Sequence, residues 1–459
     1  MGTPTRRREI EAQVAVLGGG LAGLAAAVHL ARRGLDVICL EPEAAPRERV
    51  GESLDWSSPA LLCELGFAPG DLLEQGLATR KRHIRVTPHD GPLFELAPEP
   101  WFARAPWRLE LETLHIDRGR FDARLAQVAQ RAGVRFVRER VVRVTTEGER
   151  VLAVESATTR VRARRYVDAS GRARLCARAL GIERVDCGEP RVSQWTYLPL
   201  AADGEGTTLH LDGSAAALEW LWEIPIAADV LSVGWTQAAS ELQRRAAACG
   251  NAAAAFSERL RRVPRLRAAL ASHGAPEVLA RSFQTYVHAR TVGPNWLLVG
   301  EAAAMIDPLT SNGFTFALRS GAHAAELIAG SLTRAELPRR ARQVYDRCQR
   351  RMARAFNGHI ERAAYGPHLR GAFGLRRATW VYVLFGYFAN ALCQRLRPRR
   401  APAAWALCAG LGVFRAWLGA WCLAARARAA LRRTAGVHRA SGSSLNHPAS
   451  ISTPVSKAS

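Results

Sequence analysis

Lysine is nearly absent from this sequence, although the chain is strongly basic. Of its 64 lysine and arginine residues only Lys81 and Lys457 are lysine, and the formal net charge is +23. A charge excess on this scale favours an anionic partner such as an acidic protein, an anionic membrane or a nucleic acid. A diffuse, solvated basic surface is the alternative interpretation.

The sequence also lacks patterns that would assign it to other classes. Its nine cysteines include no C-x-x-C pair, so neither a disulfide framework nor a metal site is expected. No secretory signal precedes the first apolar run, because residues 6–8 are arginines that lead directly into a strand-like segment, and we therefore expect a cytoplasmic protein. No basic motif interleaved with aromatic residues indicates nucleic-acid recognition, which makes nucleic acid the least favoured anionic partner.

The first strong positive signal is a glycine-rich turn between two strand-like segments. Residues 14–17 (VAVL) are followed by GGGLAG at residues 18–23, an alanine-rich helical stretch and a second strand-like segment that ends at Glu41. This is G-x-G-x-x-G in its full context of strand, turn, helix, strand and terminal acid. The context predicts a Rossmann-like dinucleotide site.

Each position of this fingerprint has a physical role. Gly18 permits the tight turn, Gly20 lets backbone amides approach a pyrophosphate, and Gly23 lets the helix pack closely on the strand. The helix N-terminus then faces the anionic phosphates. Glu41 can accept hydrogen bonds from a ribose. A glycine-rich turn without any ligand is the alternative interpretation.

Several later segments resemble flavoprotein monooxygenases, and they occur in the order of that family. Residues 116–125 (IDRGRFDARL) resemble the segment whose arginine, here Arg118, lies near the flavin. Residues 167–171 (VDASG) resemble the strand-end turn that returns to the dinucleotide. Residues 298–313 (LVGEAAAMIDPLTSNG) resemble the second flavin segment, with Glu301 where the family usually carries an aspartate for the ribityl hydroxyls. The resemblance implies that the dinucleotide is FAD.

The resemblance also implies a set of cofactor-binding residues. A GES segment at residues 51–53 resembles the one beside the flavin in halogenases and related hydroxylases, and the run from Phe314 to Leu332 is a plausible helix whose free N–H groups would face the flavin pyrimidine edge. The implied cofactor-binding residues are Gly18, Gly20, Leu21, Ala22, Gly23, Glu41, Gly51, Glu52, Ser53, Arg118, Gly300, Glu301, Pro308 and Gly313.

Three further features narrow the resemblance to flavin-dependent halogenases. Residues 220–225 (WLWEIP) match the halogenase signature W-x-W-x-I-P at every specified position. In that family the bulky side chains keep the organic substrate away from the flavin, which here implies that Trp220, Trp222 and Pro225 line a tunnel. An ordinary buried strand is the alternative, since residues two apart in a strand point to the same face and tryptophans commonly fill a core.

The second feature is a loop that resembles the halide-binding pattern F-x-x-P-x-x-S-x-G. Residues 305–313 (MIDPLTSNG) match its proline, serine and glycine, whereas Met305 replaces the phenylalanine. The resemblance implies a halide site at Ser311, Asn312 and Gly313, and backbone amides at a helix start suit a small anion. A loop that only contacts flavin is the alternative.

The third feature is Lys81, within residues 80–86 (RKRHIRV). This segment resembles the one that carries the essential lysine of halogenases, which hydrogen-bonds hypohalous acid or is chlorinated at nitrogen. A guanidinium would not serve, because it is planar, always charged and a poor nucleophile. A solvated basic face is the alternative interpretation.

Together these features predict a flavin-dependent halogenase. It would use reduced FAD, oxygen and chloride or bromide to halogenate an electron-rich aromatic substrate through hypohalous acid and Lys81. No second dinucleotide fingerprint is visible, so a separate flavin reductase is expected to supply reduced FAD. Thr310 stands where tryptophan halogenases usually carry a glutamate, which favours a phenol-like or pyrrole-like substrate, tethered to an acidic carrier protein or lipophilic, over free tryptophan.

Three other functions stay open. An FAD-dependent hydroxylase of an aromatic or protein-bound substrate would use the same fold and ignore halide. A flavin-dependent reductase of isoprenoid double bonds would need no oxygen. A basic membrane-binding or nucleic-acid-binding protein on a relic fold would contain no flavin, and the intact glycine fingerprint argues against it.

The patterns predict an α/β protein with a Rossmann-like FAD-binding domain, a mixed β-sheet substrate domain and an α-helical C-terminal extension. Residues 1–340 are expected to form the FAD core, with the substrate domain interleaved at about 80–115 and 185–290. Residues 341–435 are expected to be helical. The polar tail over residues 436–459 is expected to be disordered.

Two apolar stretches within the C-terminal extension allow different interpretations. They cover residues 378–392 and 403–425, and Arg415 interrupts the second. A helical cap over the substrate pocket is favoured, a tryptophan-containing hairpin on a membrane surface comes next, and a membrane span is least favoured because of the central arginine.

Overall fold

A computed structural model describes residues 7–42, 50–88, 93–97, 113–212, 218–274, 276–363 and 365, together with Ala416, Ala420 and Ala424. The chain divides into two units, Met1–Phe414 and Arg415–Ser459. The three described residues of the second unit are helical. Everything below concerns the first unit.

The described part of this unit alternates strands and helices in its first half and is dominated by long strands in its middle. The helices are α1 (Leu21–Ala31), α2 (Ser58–Leu65), α3 (Pro69–Glu74), α4 (Arg118–Arg131), α5 (Leu175–Ala179), α6 (Ala239–Cys249), α7 (Ala252–Arg261), α8 (Pro264–His273), α9 (Asn312–Ala329) and α10 (Arg339–Ala363). The strands are β1 (Arg8–Leu17), β2 (Val37–Leu40), β3 (Ala78–Lys81), β4 (His83–Pro88), β5 (Phe94–Leu96), β6 (Thr113–Ile116), β7 (Arg135–Val137), β8 (Arg143–Glu147), β9 (Arg150–Glu155), β10 (Thr159–Asp168), β11 (Arg184–Leu198), β12 (Gly206–Asp212), β13 (Glu219–Ala227), β14 (Val230–Ala238), β15 (Leu279–His288), β16 (Trp296–Leu298) and β17 (Ala304–Met305).

The first sheet carries the glycine fingerprint. Its strands run in the order β7-β2-β1-β10-β9-β8, and β16 also pairs with β10. The strands β7, β2, β1, β10 and β16 are mutually parallel where they pair, so their carboxyl ends meet at one edge. In open α/β sheets this edge is the usual place for a ligand.

Both faces of this sheet are covered, which explains its continuous apolar strands. Val14 and Val16 of β1 point into a core shared with α1 and α9, whereas Ala15 and Leu17 point into a second core on the opposite face. The helices α1 and α9 pack closely: a Cβ placed on Gly321 would lie 2.5 Å from the backbone oxygen of Ala22.

The second sheet is mixed. Its order is β17-β15-β11-β14-β13-β12-β4-β5, in which β12 and β4 are parallel and the remaining pairs are antiparallel. Leu221 and Val233 on one face pack against α7 and α8. Trp220 and Trp222 on the other face belong to a different core. The fold class predicted from the sequence, a Rossmann-like FAD-binding domain joined to a mixed β-sheet, is confirmed.

The long helix α10 belongs to the body of this unit. Met352, Ala353 and Phe356 pack into the core on one face of the first sheet. Ile360 and the nearby Tyr365 join the core that contains the two tryptophans of β13. The start of the C-terminal extension therefore bridges both sheets.

The remaining predictions about the extension lie outside the described residues. These are the apolar stretches at 378–392 and 403–425, apart from three helical alanines, and the tail at 436–459. Among the described residues, no helix combines the length and the apolar character needed to cross a membrane.

Candidate active site

The fingerprint turn has a geometry that requires glycine. Gly18 has a φ of +106°, and a Cβ there would lie 2.5 Å from the backbone oxygen of Ala169. A Cβ on Gly23 would lie 2.0 Å from the backbone oxygen of Gly18. Gly20 is the extended residue that precedes α1. The first amides of α1, at Leu21 and Ala22, have no acceptor within the helix and suit the phosphates of a dinucleotide.

Glu41, just beyond the end of β2, lies beside this turn. Its Oε2 accepts a hydrogen bond from the backbone N–H of Gly19 at 2.6 Å. A Cβ on Gly19 would come within 2.9 Å of the Glu41 side chain. The acid therefore stands next to the turn, as a ribose-binding carboxylate must.

The second flavin segment begins at the same edge, beyond β16. Gly300 has a φ of +55°, and a Cβ there would lie 2.7 Å from the Cβ of Ala22 in α1. Glu301 lies near the turn after β10: its Oε1 is 3.9 Å from the Nε of Arg172. Three motifs that are far apart in the sequence thus converge at one edge of the first sheet, and the close backbone approaches there fit an FAD dinucleotide.

Arg118 brings the start of α4 to the GES segment. Its guanidinium binds both carboxylate oxygens of Asp122, at 3.1 and 3.0 Å, and its Nη1 donates to the backbone oxygen of Gly51 at 3.4 Å. Burial alone would lower the pKa of Arg118, but the charge and hydrogen bonds of Asp122, together with Glu52 and Tyr197, outweigh this effect, so the pKa is raised. The guanidinium also lies 5.6 Å from the ring centre of Phe314 in α9.

Glu52 links the GES segment to the signature strand. The carboxylate is buried; it accepts from the N–H of Gly51 at 2.8 Å and from the hydroxyls of Tyr197 and Ser232, each at 3.1 Å. The indole N–H of Trp222 donates to the same Ser232 hydroxyl at 3.3 Å. Burial raises the pKa of Glu52, and these hydrogen bonds partly offset that rise.

The two signature tryptophans are fixed in place. Trp220 and Trp222 are 4% and 3% exposed, and their ring centres lie 5.4 Å apart on one face of β13. Gly234 on β14 makes room for the second: a Cβ there would lie 2.0 Å from the Trp222 ring. The strand is therefore buried, as the structural alternative expected, and its indoles form a rigid wall.

The predicted halide loop turns sharply into α9. Ser311 has a φ of +61° and precedes the helix, and the Asn312 side-chain amide donates to the Thr310 hydroxyl at 2.7 Å. A Cβ on Gly313 would meet no described atom within 4 Å. Ser311, Asn312 and Gly313 thus stand at the start of an 18-residue helix, beside open space into which its first N–H groups can donate.

Asp307, one residue before Pro308, is a buried carboxylate that sequence inspection missed. Its Oδ1 accepts from the N–H of Leu309 at 2.9 Å, and the hydroxyl of Tyr365 lies 3.4 Å from the same oxygen. Burial raises the pKa of Asp307 to about 6, against the opposing charge of Arg191.

Tyr365 is a second residue that sequence inspection missed. Its hydroxyl accepts from the indole N–H of Trp220 at 3.0 Å, and the guanidinium of Arg191 lies 3.4 Å from its ring centre. No motif marks a tyrosine 52 positions after Gly313, and a buried partner for the Trp220 indole is the only signal that could have suggested one.

Lys81 is buried, so the alternative of a solvated basic face is wrong for this residue. The side chain is 2% exposed, and Nζ donates to the Ser53 hydroxyl at 2.8 Å and to the backbone oxygen of Leu54 at 2.7 Å. Nζ also lies 4.6 Å from the ring centre of Trp56. Burial lowers the pKa of Lys81 to about 7, although the charge of Asp55 opposes the change.

Comparison with known proteins agrees with this arrangement. The family model described as Tryptophan halogenase matches residues 111–361, and that described as FAD dependent oxidoreductase matches residues 13–52. Tryptophan 2-halogenase of Chondromyces crocatus is 30% identical over 373 residues, which cover 77% of this chain and 66% of that protein. A 1H-pyrrole-2-carbonyl-peptidyl-carrier-protein chlorinase of Pseudomonas fluorescens is 26% identical over 337 residues, 67% of this chain and 73% of that protein.

The fold is also that of a solved halogenase. The structure of the flavin-dependent brominase Bmp2 superposes with a TM-score of 0.69 at 21% identity, and the match covers 90% of this chain and 99% of that one. The match to the Chondromyces protein spans just under two thirds of that protein's length. The predicted resemblance, the enzyme class and FAD as cofactor are confirmed. This chain belongs to the tryptophan halogenase family and has the fold of an FAD-dependent oxidoreductase.

Proposed function

We propose that this protein is a flavin-dependent halogenase of electron-rich aromatic substrates and that Lys81 is its catalytic residue. The observation that carries the proposal is a fully buried lysine, with a pKa near 7, on a strand that contacts the signature strand: the Thr79 hydroxyl of β3 donates to the backbone oxygen of Pro225 at 2.6 Å. A buried amine with a lowered pKa is a nucleophile at neutral pH.

FAD would be held by the crevice at the carboxyl edge of the first sheet. The glycines at 18, 20 and 23 and the start of α1 would take its pyrophosphate, Glu41 a ribose, and Glu301 the ribityl chain. The opposite side of the cofactor would be lined by Gly51, Glu52, Ser53 and Arg118, and by Pro308 and Gly313 next to the start of α9. Reduced FAD supplies the electrons with which oxygen and a halide are converted into hypohalous acid.

The halide would bind at the start of α9. The first N–H groups of this helix, at Asn312 and Gly313, point away from the helix body and carry the positive end of its dipole. Ser311 holds the left-handed turn that aims them. Asp307 lies in the same loop, and because its pKa is about 6, its negative charge would oppose a halide at neutral pH and would be lost only at lower pH.

Trp220 and Trp222 would separate the flavin from the substrate and guide hypohalous acid. Trp222 is connected to the GES segment by hydrogen bonds, because its indole N–H donates to Ser232 and the Ser232 hydroxyl donates to Glu52. At the far end of the same strand, Pro225 is tied to the Lys81 strand. One buried strand therefore connects the cofactor segment with the strand of the proposed catalytic lysine.

A phenol-like or pyrrole-like ring is the substrate class we infer. Thr310 provides no carboxylate beside the halide loop to activate a free tryptophan, whereas a phenol or pyrrole is activated by its own hydroxyl or ring nitrogen. The related Pseudomonas chlorinase acts on a pyrrole bound to a peptidyl carrier protein. An acidic carrier protein is therefore the proposed partner, with a flavin reductase as the source of reduced FAD.

Helix α10 presents a surface that suits an acidic carrier. Its exposed arginines include Arg340, Arg347, Arg351 and Arg354, whose spacings of seven, four and three place them on one helix face. A stripe of positive charge would steer an acidic domain by long-range attraction. Cytoplasmic location and a peripheral membrane contact through residues 378–425 stay predictions.

The test is mass spectrometry of reactions that contain the protein, FAD, a flavin reductase, NADH and either bromide or chloride. Free phenols and pyrroles, and the same rings tethered to a carrier protein, serve as substrates beside a Lys81→Met variant. A halogen isotope pattern that is lost in the variant is expected. Oxygen insertion without halogen, unchanged by the variant, would instead indicate a hydroxylase, and anaerobic reduction of an isoprenoid double bond would indicate a reductase.

A further inference from the structure

We infer that Thr207, His115 and Thr79 are positioning residues that force Ser53 to accept a hydrogen bond from Lys81. The lone pair of the neutral amine is then free to react with hypohalous acid. The inference rests on the proposed role of Lys81. The three positioning residues lie outside every motif described above.

A continuous chain of hydrogen bonds leads away from Lys81. Nζ donates to Ser53 Oγ at 2.8 Å, Ser53 Oγ lies 3.2 Å from Thr207 Oγ1, and Thr207 Oγ1 lies 2.9 Å from His115 Nε2. His115 Nδ1 lies 3.3 Å from Thr79 Oγ1. The chain joins β3, β6 and β12 to the GES segment.

Its direction follows from counting protons, starting at the far end. The Thr79 hydroxyl has one proton and donates it to the backbone oxygen of Pro225 at 2.6 Å. This donation is certain, because a carbonyl oxygen can only accept a hydrogen bond. Thr79 must therefore accept from His115, so His115 carries its proton on Nδ1. The imidazole is neutral, because burial and then the charge of Lys81 hold the pKa of His115 well below its usual value.

The rest of the chain is then determined. A neutral imidazole with its proton on Nδ1 has a bare Nε2, which accepts from Thr207. Thr207 has used its only proton and must accept from Ser53. Ser53 in turn has no proton left, so it accepts from Lys81 and cannot donate to it.

This polarity matters for a neutral amine. Lys81 has two N–H groups in its neutral form; one is directed at Ser53 and the other at the backbone oxygen of Leu54. The lone pair is left over. If Ser53 could turn its proton toward Nζ, it would occupy that lone pair and remove the nucleophile.

The chemistry that the free lone pair permits is balanced. The amine attacks the halogen of hypohalous acid: the N–X bond forms, the O–X bond breaks, and the oxygen leaves as water with one proton from nitrogen. The aromatic carbon then takes the halogen from nitrogen, and the proton displaced from the ring returns to the amine. Lys81 is regenerated without any further oxidant.

Few charges act on this chain from the elements packed around it. Asp55 favours the charged form of Lys81. Lys81 and His83 both disfavour a charged His115. Asp55 acts directly on Lys81 and is not part of the hydrogen-bonded chain. Thr207 is uncharged, so replacing it alters the direction of the hydrogen bonds without adding or removing a charge.

Thr207→Val is the decisive variant, because it keeps the shape of the side chain and removes the hydroxyl. Two quantities are measured in the full-length protein with FAD and reductase: hypohalous acid captured by a soluble diketone trap, and halogenated product, each across pH 6 to 9. We expect the amount of hypohalous acid formed to be unchanged and the ratio of halogenated product to hypohalous acid to fall about threefold to tenfold. The midpoint of the pH profile of product formation should shift downward, because a hydrogen bond that Ser53 donates to the amine stabilises its neutral form.

Matched variants separate this role from a structural one. Thr207→Ser restores the hydroxyl and should restore both the product ratio and the pH midpoint. Thr236→Val removes a buried threonine hydroxyl from the same sheet, one that pairs with Ser193 at 2.7 Å, and should change neither. Thr79→Val offers a second break in the chain, because without the Thr79 hydroxyl nothing holds the His115 proton on Nδ1. It should also lower the product ratio if Thr207→Val does not fold.

The inference and the proposed function fail in different ways. If the wild type halogenates and Lys81→Met abolishes product, but Thr207→Val and Thr79→Val leave the product ratio and pH midpoint unchanged, the inference is wrong and the proposed function stands. If the wild type gives neither hypohalous acid nor halogenated product, both are wrong.

Discussion

The indole N–H of Trp220 donates to the hydroxyl of Tyr365 at 3.0 Å, which joins the first signature tryptophan to a residue just beyond α10. The same hydroxyl lies 3.4 Å from the carboxylate of Asp307 in the proposed halide loop. The proposed tunnel wall, the proposed halide loop and the start of the C-terminal extension are therefore joined through one tyrosine hydroxyl.

Tyr365→Phe should loosen this junction. The buried indole N–H loses its acceptor, which costs about 1–3 kcal/mol, so we expect a lower thermal midpoint and more hypohalous acid escaping to a trap per product formed. Tyr345→Phe is the control: its hydroxyl is also buried and donates to the backbone oxygen of Leu298 at 2.9 Å, away from the tryptophans. Equal escape in both variants would contradict a role for Tyr365 in the tunnel.

Asp307→Asn should strengthen halide binding. The amide oxygen can still accept from Leu309, but the negative charge beside the proposed halide site is removed. We expect the KM for chloride to fall severalfold at pH 8. In the wild type, protonation below about 6 should lower this KM as the pH falls, whereas the variant should show a flat profile. A steep profile in Asp307→Asn would mean that another group controls halide binding.

The buried Lys81 should make stability depend on pH. Its pKa is lowered to about 7 in the folded protein and returns to the ordinary lysine value, about 10.4, in the unfolded chain. Between these values the unfolded state binds more protons, so the free energy of unfolding rises with pH. Lys81→Met should remove this rise. Urea unfolding of both proteins at pH 7 and pH 9 checks it, and parallel changes in the two would contradict it.

Gly23→Ala should abolish FAD binding and destabilise the fold, because the new Cβ would lie 2.0 Å from the backbone oxygen of Gly18. We expect a loss of several kcal/mol, about that of overpacking a core, and no flavin absorbance in the purified variant. Gly70→Ala in α3 meets nothing within 4 Å and should be neutral or slightly stabilising. Retention of FAD by Gly23→Ala would show that α1 can move away from β1.

Replacing Arg347 and Arg354 by glutamine should weaken turnover of a carrier-tethered ring. We expect a higher KM for the carrier protein and a flatter salt dependence, since steering by exposed charge is screened within about 10 Å at 0.1 M salt. Turnover of the free ring should be unchanged. If both substrates respond alike, the arginine stripe of α10 is not a docking surface for a carrier protein.

Much of the cofactor side was predictable because its constraints are local. The close approach of Gly23 to Gly18 is fixed within one turn of chain, so glycine spacing alone indicates it. Glu41 reaches Gly19 across 22 positions, but the strand, turn, helix and second strand between them form one repeated unit that the sequence pattern specifies as a whole. Such geometry repeats wherever the sequence pattern does.

The sequence by itself determined the Rossmann-like fold class, the glycine turn, and the identity and order of the flavin and halogenase motifs. Each of these motifs is a short run of residues that can be recognised without knowing what packs against it. Only the tertiary structure decided that Lys81, the last residue of β3, is buried while Arg82, which lies between β3 and β4, is exposed, because packing against distant segments selects which of the two basic side chains is covered. Tertiary structure alone also brought Tyr365 to Trp220 and His115 to Thr207. A buried polar group acquires its partner from whichever segment packs against it, and no local pattern specifies that segment.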